Sequence, residues 1–408
     1  MGIRPVVTSL QRALHLSATW LTCAGVMKLL ALGLLAGVVA APAIAAPSAA
    51  QTTRTAPGLD HGHHKTRHIT VFGHRGASGY RPEHTLASYR LAIAQGADVI
   101  EPDLVSTKDG VLVARHENEI SGTTDVADRP EFAGRRTTKQ IDGVPVTGWF
   151  TEDFTFRELR TLRAKERLPQ LRPGNTVYDG RFQIPTFDEV VALAKSESKR
   201  LHRRISVAPE TKHPTYFRSI GLGLEKPLLA SLRRAGWTSS RSPVVVQSFE
   251  TTNLKELARH TRVPLVQLTS AKGAPYDLVA QGKATTYADI MSPSGLRAVR
   301  RYATWLSPEK NSVIPLDAQG RLTRPTSVVR DAHRAGLKVT VYTFRAENSF
   351  LPTELRSSAN PAERGDLAAE LRAFFDAGVD GVFSDFPDIA VETRRDWTAE
   401  QRRHQRVR

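Results

Sequence analysis

Short runs of apolar, often β-branched residues alternate with longer amphipathic segments along the chain from Ile69 onward. The short runs predict eight strands, which read ITVFGH, DVIEPDLV, RISVAPE, PVVVQSF, VPLVQL, a weaker run at residues 304–307, KVTVYTF and GVFSD. The segments between them predict helices, several of which end at a glycine; they read TLASYRLAIAQG, FDEVVALAKS, PLLASLRRAG, NLKELARHT, SGLRAVRRYA, VVRDAHRAG and LAAELRAFFDAG. The pattern therefore predicts repeated β-α units.

Apolar strands that are each followed by a helix indicate a parallel sheet with both faces covered. Eight such units fit a closed α/β barrel, the TIM (β/α)8 barrel, better than an open sheet. A doubly wound open sheet is the alternative, but no G-x-G-x-x-G follows the first strand, and polar residues cluster at strand ends, where barrel active sites lie. We predict a barrel over residues 69–393, followed by a basic C-terminal tail at 394–408. The stretch from about residue 118 to 204 is too long for one connection, so we expect a small inserted subdomain there, between the second and third strands.

The N-terminal residues predict an export signal and a linker. From Met27 the sequence MKLLALGLLAGVVAAPAIA has a lysine, an apolar run too short for a comfortable span, and Ala43 and Ala45 in the A-x-A spacing of a cleavage site. We expect residues 1–45 to be the signal, with Met27 as an alternative start, and residues 46–68, including DHGHHK, to be a disordered linker. The mature protein should then be secreted, outside the cell or at the cell wall, without a stable membrane span.

Charge and cysteine content narrow the chemistry. The chain has 57 Lys and Arg against 41 Asp and Glu, a formal charge of +16, but no basic motif interleaved with aromatic residues indicates nucleic acid binding. The positive field would still attract anionic substrates. Cys23 is the only cysteine and lies in the predicted signal, so the mature chain has no thiolate for a disulfide, a nucleophile or a metal site. Its chemistry must use oxygen and nitrogen ligands.

Acidic residues on two predicted strands indicate a metal site. In IEPDL, Glu101 and Asp103 are two positions apart and therefore face the same side of the strand. Such a pair is tolerable only if a cation lies between the carboxylates or if one of them is protonated, because buried like charges repel. The next strand ends in VAPETK and contributes Glu210 as a third oxygen ligand. Oxygen ligands favour Ca²⁺ or Mg²⁺, and we expect one divalent cation, with Ca²⁺ preferred to Mg²⁺.

Two histidines and two basic side chains accompany these carboxylates. The first strand ends in GHRG, which places His74 and Arg75 at the strand terminus, and the flanking glycines would let a ligand approach the backbone. A hairpin through STKDG and VLVARH returns His116 to the same rim, and Lys212 follows the third strand. Arg75 and Lys212 suit phosphate oxygens, and two histidines flanking a phosphodiester could act as general base and general acid. Weaker candidates for substrate contacts follow later strands: Gln247, Phe249 and Tyr342.

The longest motifs of the chain are HRGASGYRPEHTLASY, GADVIEPDLVSTKDGVLVARH and PETK, followed by TDVADR, VQSFE and GVFSDFPD among the shorter ones. Together they resemble the glycerophosphodiester phosphodiesterases of the secreted or periplasmic type, over residues 68–393. The resemblance implies a TIM barrel with a small insertion domain that hydrolyses deacylated phospholipid head groups to an alcohol and sn-glycerol 3-phosphate, in lipid and glycerol metabolism. It also implies a Ca²⁺ or Mg²⁺ ion on Glu101, Asp103 and Glu210.

The same resemblance implies roles for the basic residues. His74 and His116 would form the acid/base pair and Arg75 would contact the phosphate, while the neighbouring glycerol hydroxyl could attack first and give a cyclic phosphate that water then opens. One position departs from the family pattern, because Glu117 follows His116 where the family usually has an aspartate. We expect the local loop geometry to differ from that of the family at this position.

Two other functions remain as alternatives. One is a secreted barrel phospholipase D related to sphingomyelinase D, which would act on intact lipids, although those enzymes lack the long insertion. The other is a phosphodiesterase or a binding protein directed at teichoic acid, an anionic polymer that the positive charge would attract. The small-molecule glycerophosphodiester remains the expected partner.

Overall fold

The computed structural model describes residues 68–407. The predicted export signal and the linker up to residue 67 lie outside the described residues. Each of the eight predicted strands overlaps an observed one. The strands are β1 Thr70–Gly73, β2 Val99–Ile100, β3 Asp103–Ser106, β4 Leu112–Ala114, β5 Thr137–Ile141, β6 Val144–Gly148, β7 Ser206–Val207, β8 Glu210–Thr211, β9 Val246–Ser248, β10 Leu265–Thr269, β11 Trp305–Pro308, β12 Lys338–Phe344 and β13 Gly381–Ser384.

The main strands close into a barrel in which all neighbours are parallel. β1 pairs with β13 and with β2, and β2 pairs with β7. β3 pairs with β8, and the ladder then runs through β9, β10, β11 and β12 back to β13. β2 and β3 are consecutive halves of one barrel strand, as are β7 and β8, so the ring has eight strands. This confirms the predicted TIM barrel.

Helices cover the outside of this ring, as the amphipathic segments predict. The helices are α1 Leu86–Ala94, α2 Phe156–Leu159, α3 Phe187–Leu201, α4 Pro214–Ser219, α5 Glu225–Arg234, α6 Thr251–His260, α7 Tyr276–Ala280, α8 Tyr287–Met291, α9 Pro293–Val299, α10 Lys310–Val313, α11 Val328–Arg334, α12 Leu367–Asp376 and α13 Pro387–Val407. All seven predicted helices are present, as α1, α3, α5, α6, α9, α11 and α12. Among the residues that the structure describes, no helix is both long and apolar enough to cross a membrane.

The inside of the barrel is closed by a small apolar cluster. Its members are Phe72, Val99, Ala208, Val245, Val266 and Phe383. The Phe72 and Phe383 rings are stacked with their centroids 4.3 Å apart. The interior is therefore packed rather than open, and polar side chains at the carboxyl ends of the strands rest on this apolar floor.

The insertion between β4 and β7 is shorter than predicted. Its last part, α3, packs against α1, β4 and β7 and so belongs to the helical layer of the barrel. The part that departs from the barrel is residues 118–186, which contains α2, several 3₁₀ helices and the antiparallel hairpin of β5 and β6.

The chain also ends differently from the prediction. Residues 394–407 do not form a separate tail but continue helix α13. Arg394 donates a hydrogen bond to the carbonyl oxygen of Ile69 and forms an ion pair with Asp98, and Trp397 donates to Asp376. These contacts hold the last helix against the amino-terminal side of the barrel.

Candidate active site

Prolines position the three acidic residues by interrupting two barrel strands. Pro102 separates β2 from β3, and Pro209 separates β7 from β8. Proline has no N–H to donate, so the ladder is broken at both places. The ladder resumes with the backbone N–H of Glu210 donating to Pro102 and with Asp103 in register with Glu210. Side chains on either side of each interruption are thereby turned toward the same end of the barrel.

Glu101, Asp103 and Glu210 form one buried cluster, as the sequence predicts. Each offers a carboxylate oxygen, and these oxygens lie within 4.8 Å of one another. Burial and the charges of Asp103 and Glu210 raise the pKa of Glu101 well above its usual value. Burial and Asp103 likewise raise the pKa of Glu210 to about 7, although Lys212 opposes the shift. The crowding disfavours ionisation of Glu101 and Glu210 and favours a bound cation.

Asp103 is the member whose charge the protein compensates most strongly. Although burial opposes it, His84 and Arg75 hold the pKa of Asp103 below its usual range. Its Oδ2 accepts a hydrogen bond from His84 Nε2 at 3.0 Å, while the buried Oδ1 has no hydrogen-bond partner among the described residues. An ionised carboxylate with one buried unpartnered oxygen is a ready ligand for a hard cation, so the donor set fits a divalent metal.

His74 is held by a carboxylate that directly follows the last barrel strand. Its Nδ1 donates to Asp385, and Asp385 in turn accepts from Arg172 Nη2 at 2.5 Å and from Arg345 Nε at 3.0 Å. The other ring nitrogen, Nε2, lies 3.9 Å from Glu101. Burial and the Arg75 charge lower the pKa of His74 to about 4, although Asp385 opposes this. The ring is therefore neutral at pH 7, with Nε2 directed toward the acidic cluster.

His116 has a similar arrangement on the other side. Its Nδ1 lies 2.7 Å from Glu117 Oε1. Burial, Arg75 and Lys212 lower the pKa of His116 to about 3. The Glu117 that departs from the family pattern therefore reaches the ring of the histidine that precedes it.

Arg75 lies buried beside the cluster in a left-handed backbone conformation, with φ of 60°. Its guanidinium bonds both oxygens of Glu83 at 3.1 and 3.2 Å, and its backbone N–H donates to Glu101. The flanking glycines are required by the packing of helix α1, whatever ligand approaches the backbone. A Cβ on Gly73 would lie 2.8 Å from the Cβ of Ala92, and one on Gly76 would lie 2.6 Å from the backbone of Ser88. Both glycines let helix α1 pack closely against β1.

Two neighbouring cavities open at this end of the barrel. The first, of about 460 Å³, is lined by both histidines, Arg75 and the three acidic residues, together with Phe249, Tyr342, Arg345 and Arg356. The second, of about 410 Å³, shares Glu210 and Phe249 with the first and is also lined by Lys212. Eight of the ten predicted site residues thus line one cavity.

The other two predicted residues have different positions. Gln247 is fully buried, and its Nε2 donates to Glu101 Oε1 at 2.7 Å, so it orients a candidate metal ligand and does not reach the cavity as a substrate contact. Lys212 faces the second cavity, and its Nζ lies 3.1 Å from Glu210. The prediction of Gln247 as a substrate contact is wrong in this respect.

The residues behind the two histidines were not among those predicted from the sequence. Asp385 directly follows β13, so its strand-end position in GVFSD was a usable signal. Arg172 lies in the insertion, where no periodic pattern marks it. His213 contacts Glu117 and Asp142. Asp142 reaches His213 because the inserted hairpin packs beside the barrel site.

The chain is similar to glycerophosphodiester phosphodiesterases. Residues 74–389 match the model of the glycerophosphoryl diester phosphodiesterase family. A glycerophosphodiester phosphodiesterase of Arabidopsis thaliana is 35% identical over 326 residues, which is 77% of this chain and 82% of the relative. One from Haemophilus influenzae is 26% identical over 350 residues, or 79% of this chain and 88% of the relative.

Solved structures show the same fold. A phosphodiesterase from Oleispira antarctica, solved in complex with the product sn-glycerol-3-phosphate, superposes with a TM-score of 0.51 at 20% identity. The similarity covers 79% of this chain and 96% of that one.

Proposed function

Because the chain belongs to the glycerophosphoryl diester phosphodiesterase family, we propose that it releases an alcohol and sn-glycerol 3-phosphate by metal-dependent acid/base catalysis. The phosphodiesterase activity itself follows from the relatives, because the similarity to glycerophosphodiester phosphodiesterases extends over most of the chain. One observation carries the finer proposal: a buried cluster of three carboxylates lies in the same cavity as two histidines, each backed by a carboxylate.

The metal ligands in this proposal are Glu101, Asp103 and Glu210. Their oxygen donors, their crowding and the unpartnered Oδ1 of Asp103 suit Ca²⁺ or Mg²⁺. We propose Ca²⁺, since carboxylates from two different strands can satisfy its flexible coordination more easily than the strict octahedron of Mg²⁺. When bound, such an ion supplies positive charge that stabilises the negative charge of the phosphoryl oxygens.

The two histidines would work through their Nε2 atoms. In both rings Nδ1 is engaged by a carboxylate, Asp385 for His74 and Glu117 for His116, which fixes the ring and leaves Nε2 for proton transfer. One Nε2 would accept the proton of the attacking hydroxyl, and the other would return a proton to the departing alkoxide. The attacking hydroxyl would be that of the glycerol itself or of water.

The bound substrate would adjust the protonation of these rings. In the free protein the charge of Arg75 is one cause of the low pKa of both histidines. A phosphodiester beside Arg75 brings a negative charge that offsets this effect, so the pKa of each ring should rise when substrate binds. Substrate binding would therefore help one histidine to acquire the proton that it must donate.

A metal-reconstituted substrate panel tests the proposal. The protein is stripped with EDTA, loaded with Ca²⁺ or Mg²⁺, and assayed on glycerophosphocholine, sphingomyelin, lysophosphatidylcholine and glycerol teichoic acid. We expect metal-restored hydrolysis of glycerophosphocholine, with Ca²⁺ more effective than Mg²⁺. Hydrolysis of only the intact lipids or only the polymer would overturn the proposed substrate class, and full activity after EDTA would overturn the metal dependence.

The histidine roles are tested by substitution. We expect His74→Ala and His116→Ala each to abolish hydrolysis, because each removes one proton-transfer group, while calorimetry still detects binding of the divalent cation. His260→Ala is the control, since His260 is exposed on α6 and forms an ion pair with Glu256 on the same helix. Substantial turnover by both active-site variants would exclude the acid/base assignment.

We also propose that the enzyme is exported, which rests on the segment that begins at Met27. The mass and N-terminal residue of the protein recovered outside the cell would test this. An uncleaved, cell-retained chain would contradict it.

A further inference from the structure

The contact of His116 with Glu117 is the first of a series that leads into the insertion. Glu117 Oε2 lies 2.7 Å from His213 Nε2, and His213 Nδ1 lies 2.6 Å from Asp142 Oδ2. Asp142 is the first residue of the two-residue turn between β5 and β6. The series therefore joins the candidate catalytic ring to the tip of the inserted hairpin.

Both ring nitrogens of His213 face carboxylate oxygens. Since an ionised carboxylate can only accept hydrogen bonds, both nitrogens must donate, and the ring is an imidazolium. Although burial opposes it, the hydrogen bonds with Asp142 and Glu117 raise the pKa of His213 to about 9. The ring therefore remains charged at pH 7 and binds the two carboxylates on either side of it.

Glu117 needs such an anchor. Its side chain is 45% exposed and has three rotatable bonds, so without a second partner it could adopt many rotamers. With one oxygen on His116 and the other on His213, it can adopt only orientations that satisfy both rings. A fixed Glu117 in turn fixes the plane of His116 and keeps the proton on Nδ1.

Two members of this series, Asp142 and His213, have left-handed backbone conformations. Of the five non-glycine residues with positive φ in the described part of the chain, Asp142 has φ of 49° and His213 has φ of 47°. Such conformations cost about 1 kcal/mol or more and persist where surrounding contacts over-determine them. The hairpin turn also suits Asp142, because Asp-Gly with positive φ at both positions is typical of a type I′ turn.

We propose that His213 is a positioning residue for the reaction: held by Asp142 at the tip of the inserted hairpin, it fixes Glu117 and through it the ring of His116. The inference rests on the proposed function, because His213 acts only through His116. In this proposal the inserted hairpin supports the reaction by placing Asp142 against His213.

Substitution of His213 tests this. His213→Gln removes the charge but keeps a polar side chain, and we expect kcat to fall by about tenfold or more with KM and cation affinity nearly unchanged. Asp142→Asn should give a smaller loss of kcat in the same direction; asparagine tolerates the positive φ of this turn, so the variant should fold. The control, His260→Gln on the exposed face of α6, should retain wild-type kcat.

A double-variant cycle separates positioning from a general loss of structure. If His213 acts through Glu117, then Glu117→Gln with His213→Gln should be no slower than Glu117→Gln alone. Losses that multiply in the double variant, or a His213→Gln enzyme with kcat within twofold of wild type, would overturn the inference. A wild-type protein that lacks metal-dependent hydrolysis would instead overturn the proposed function, so the two failures are distinguishable.

Discussion

At the scale of single residues, each candidate catalytic histidine has the same kind of support. A carboxylate binds Nδ1, and a cation holds that carboxylate in place. For His74 the carboxylate is Asp385 and the cations are Arg172 and Arg345; for His116 they are Glu117 and His213. The difference is that an arginine is permanently charged, whereas His213 can lose its proton.

Asp385→Asn tests the support of His74. We expect kcat to fall by about two orders of magnitude or more, because an amide fixes the tautomer and orientation of the ring less well than a carboxylate. We also expect a loss of about 3 kcal/mol in the free energy of unfolding, since Arg172 and Arg345 lose a buried counter-charge. Both are measured on the purified variant, by steady-state kinetics and denaturant unfolding.

Asp388→Asn is the matched control. Asp388 lies three residues further along the chain and accepts a hydrogen bond from the Tyr80 hydroxyl, a contact that an asparagine oxygen can keep. If Asp388→Asn and Asp385→Asn lowered kcat equally, the support of His74 would have no special role.

The imidazolium of His213 gives stability a dependence on pH. Its pKa of about 9 in the folded protein lies above the ordinary value of 6.5, so folding favours the protonated ring. The resulting stabilisation, at most about 3 kcal/mol, is complete below pH 6.5 and is lost as pH rises toward 9. We expect the difference in unfolding free energy between wild type and His213→Gln to be larger near pH 6 than near pH 10. A difference independent of pH would contradict this.

At the scale of elements, the insertion braces the barrel site from two directions. Its loop supplies Arg172, which binds Asp385 behind His74, and its hairpin supplies Asp142, which binds His213 behind Glu117. Arg167, also from the insertion, bonds Glu83, the partner of Arg75. The inserted segment thus contacts supporting residues of the site through Arg172, Asp142 and Arg167.

The junction of β1 and α1 depends on Gly76. Its φ is +91°, and an added Cβ would lie 2.6 Å from the backbone of Ser88. Gly76→Ala should therefore lower the free energy of unfolding by about 3 kcal/mol or more, because α1 or β1 must shift. The same shift would displace His74 and Arg75, so kcat should fall as well.

Gly110→Ala is the matched control for this change. Gly110 also has a positive φ, of +77°, but within residues 68–407 nothing lies within 4 Å of an added Cβ. It should show only the conformational cost of about 1 kcal/mol. Equal destabilisation of the two variants would mean that the approach of α1 does not matter.

At the scale of the whole molecule, the excess of basic residues should affect substrate capture. The chain carries a formal charge of +16, so its field attracts anions from beyond contact distance and is screened by salt. We expect kcat/KM for glycerophosphoglycerol, which has a net negative charge, to fall several-fold as ionic strength rises from about 0.01 to 0.5 M. Glycerophosphocholine, which is net neutral, should change much less, and an equal response of both substrates would exclude steering by the field.

The sequence alone determined the elements of the barrel and most of the cavity. Apolar runs and amphipathic periods depend on neighbours a few positions away, so all eight strands and seven helices could be predicted. The period of two on a strand likewise predicted that Glu101 and Asp103 share one face. Their positions at strand ends predicted that they lie near Glu210 and both histidines, because the carboxyl ends of the strands share one end of a closed barrel.

Only the tertiary structure decided which side chains support that site. Asp385 follows His74 by 311 positions and His213 follows Glu117 by 96, and no local pattern links such distant residues. Gln247 turned behind Glu101, the glycines of GHRG served helix packing, and the supposed tail became part of α13. Each of these outcomes depends on how separate elements pack against one another. The sequence pattern within one element does not specify the neighbour that it will contact.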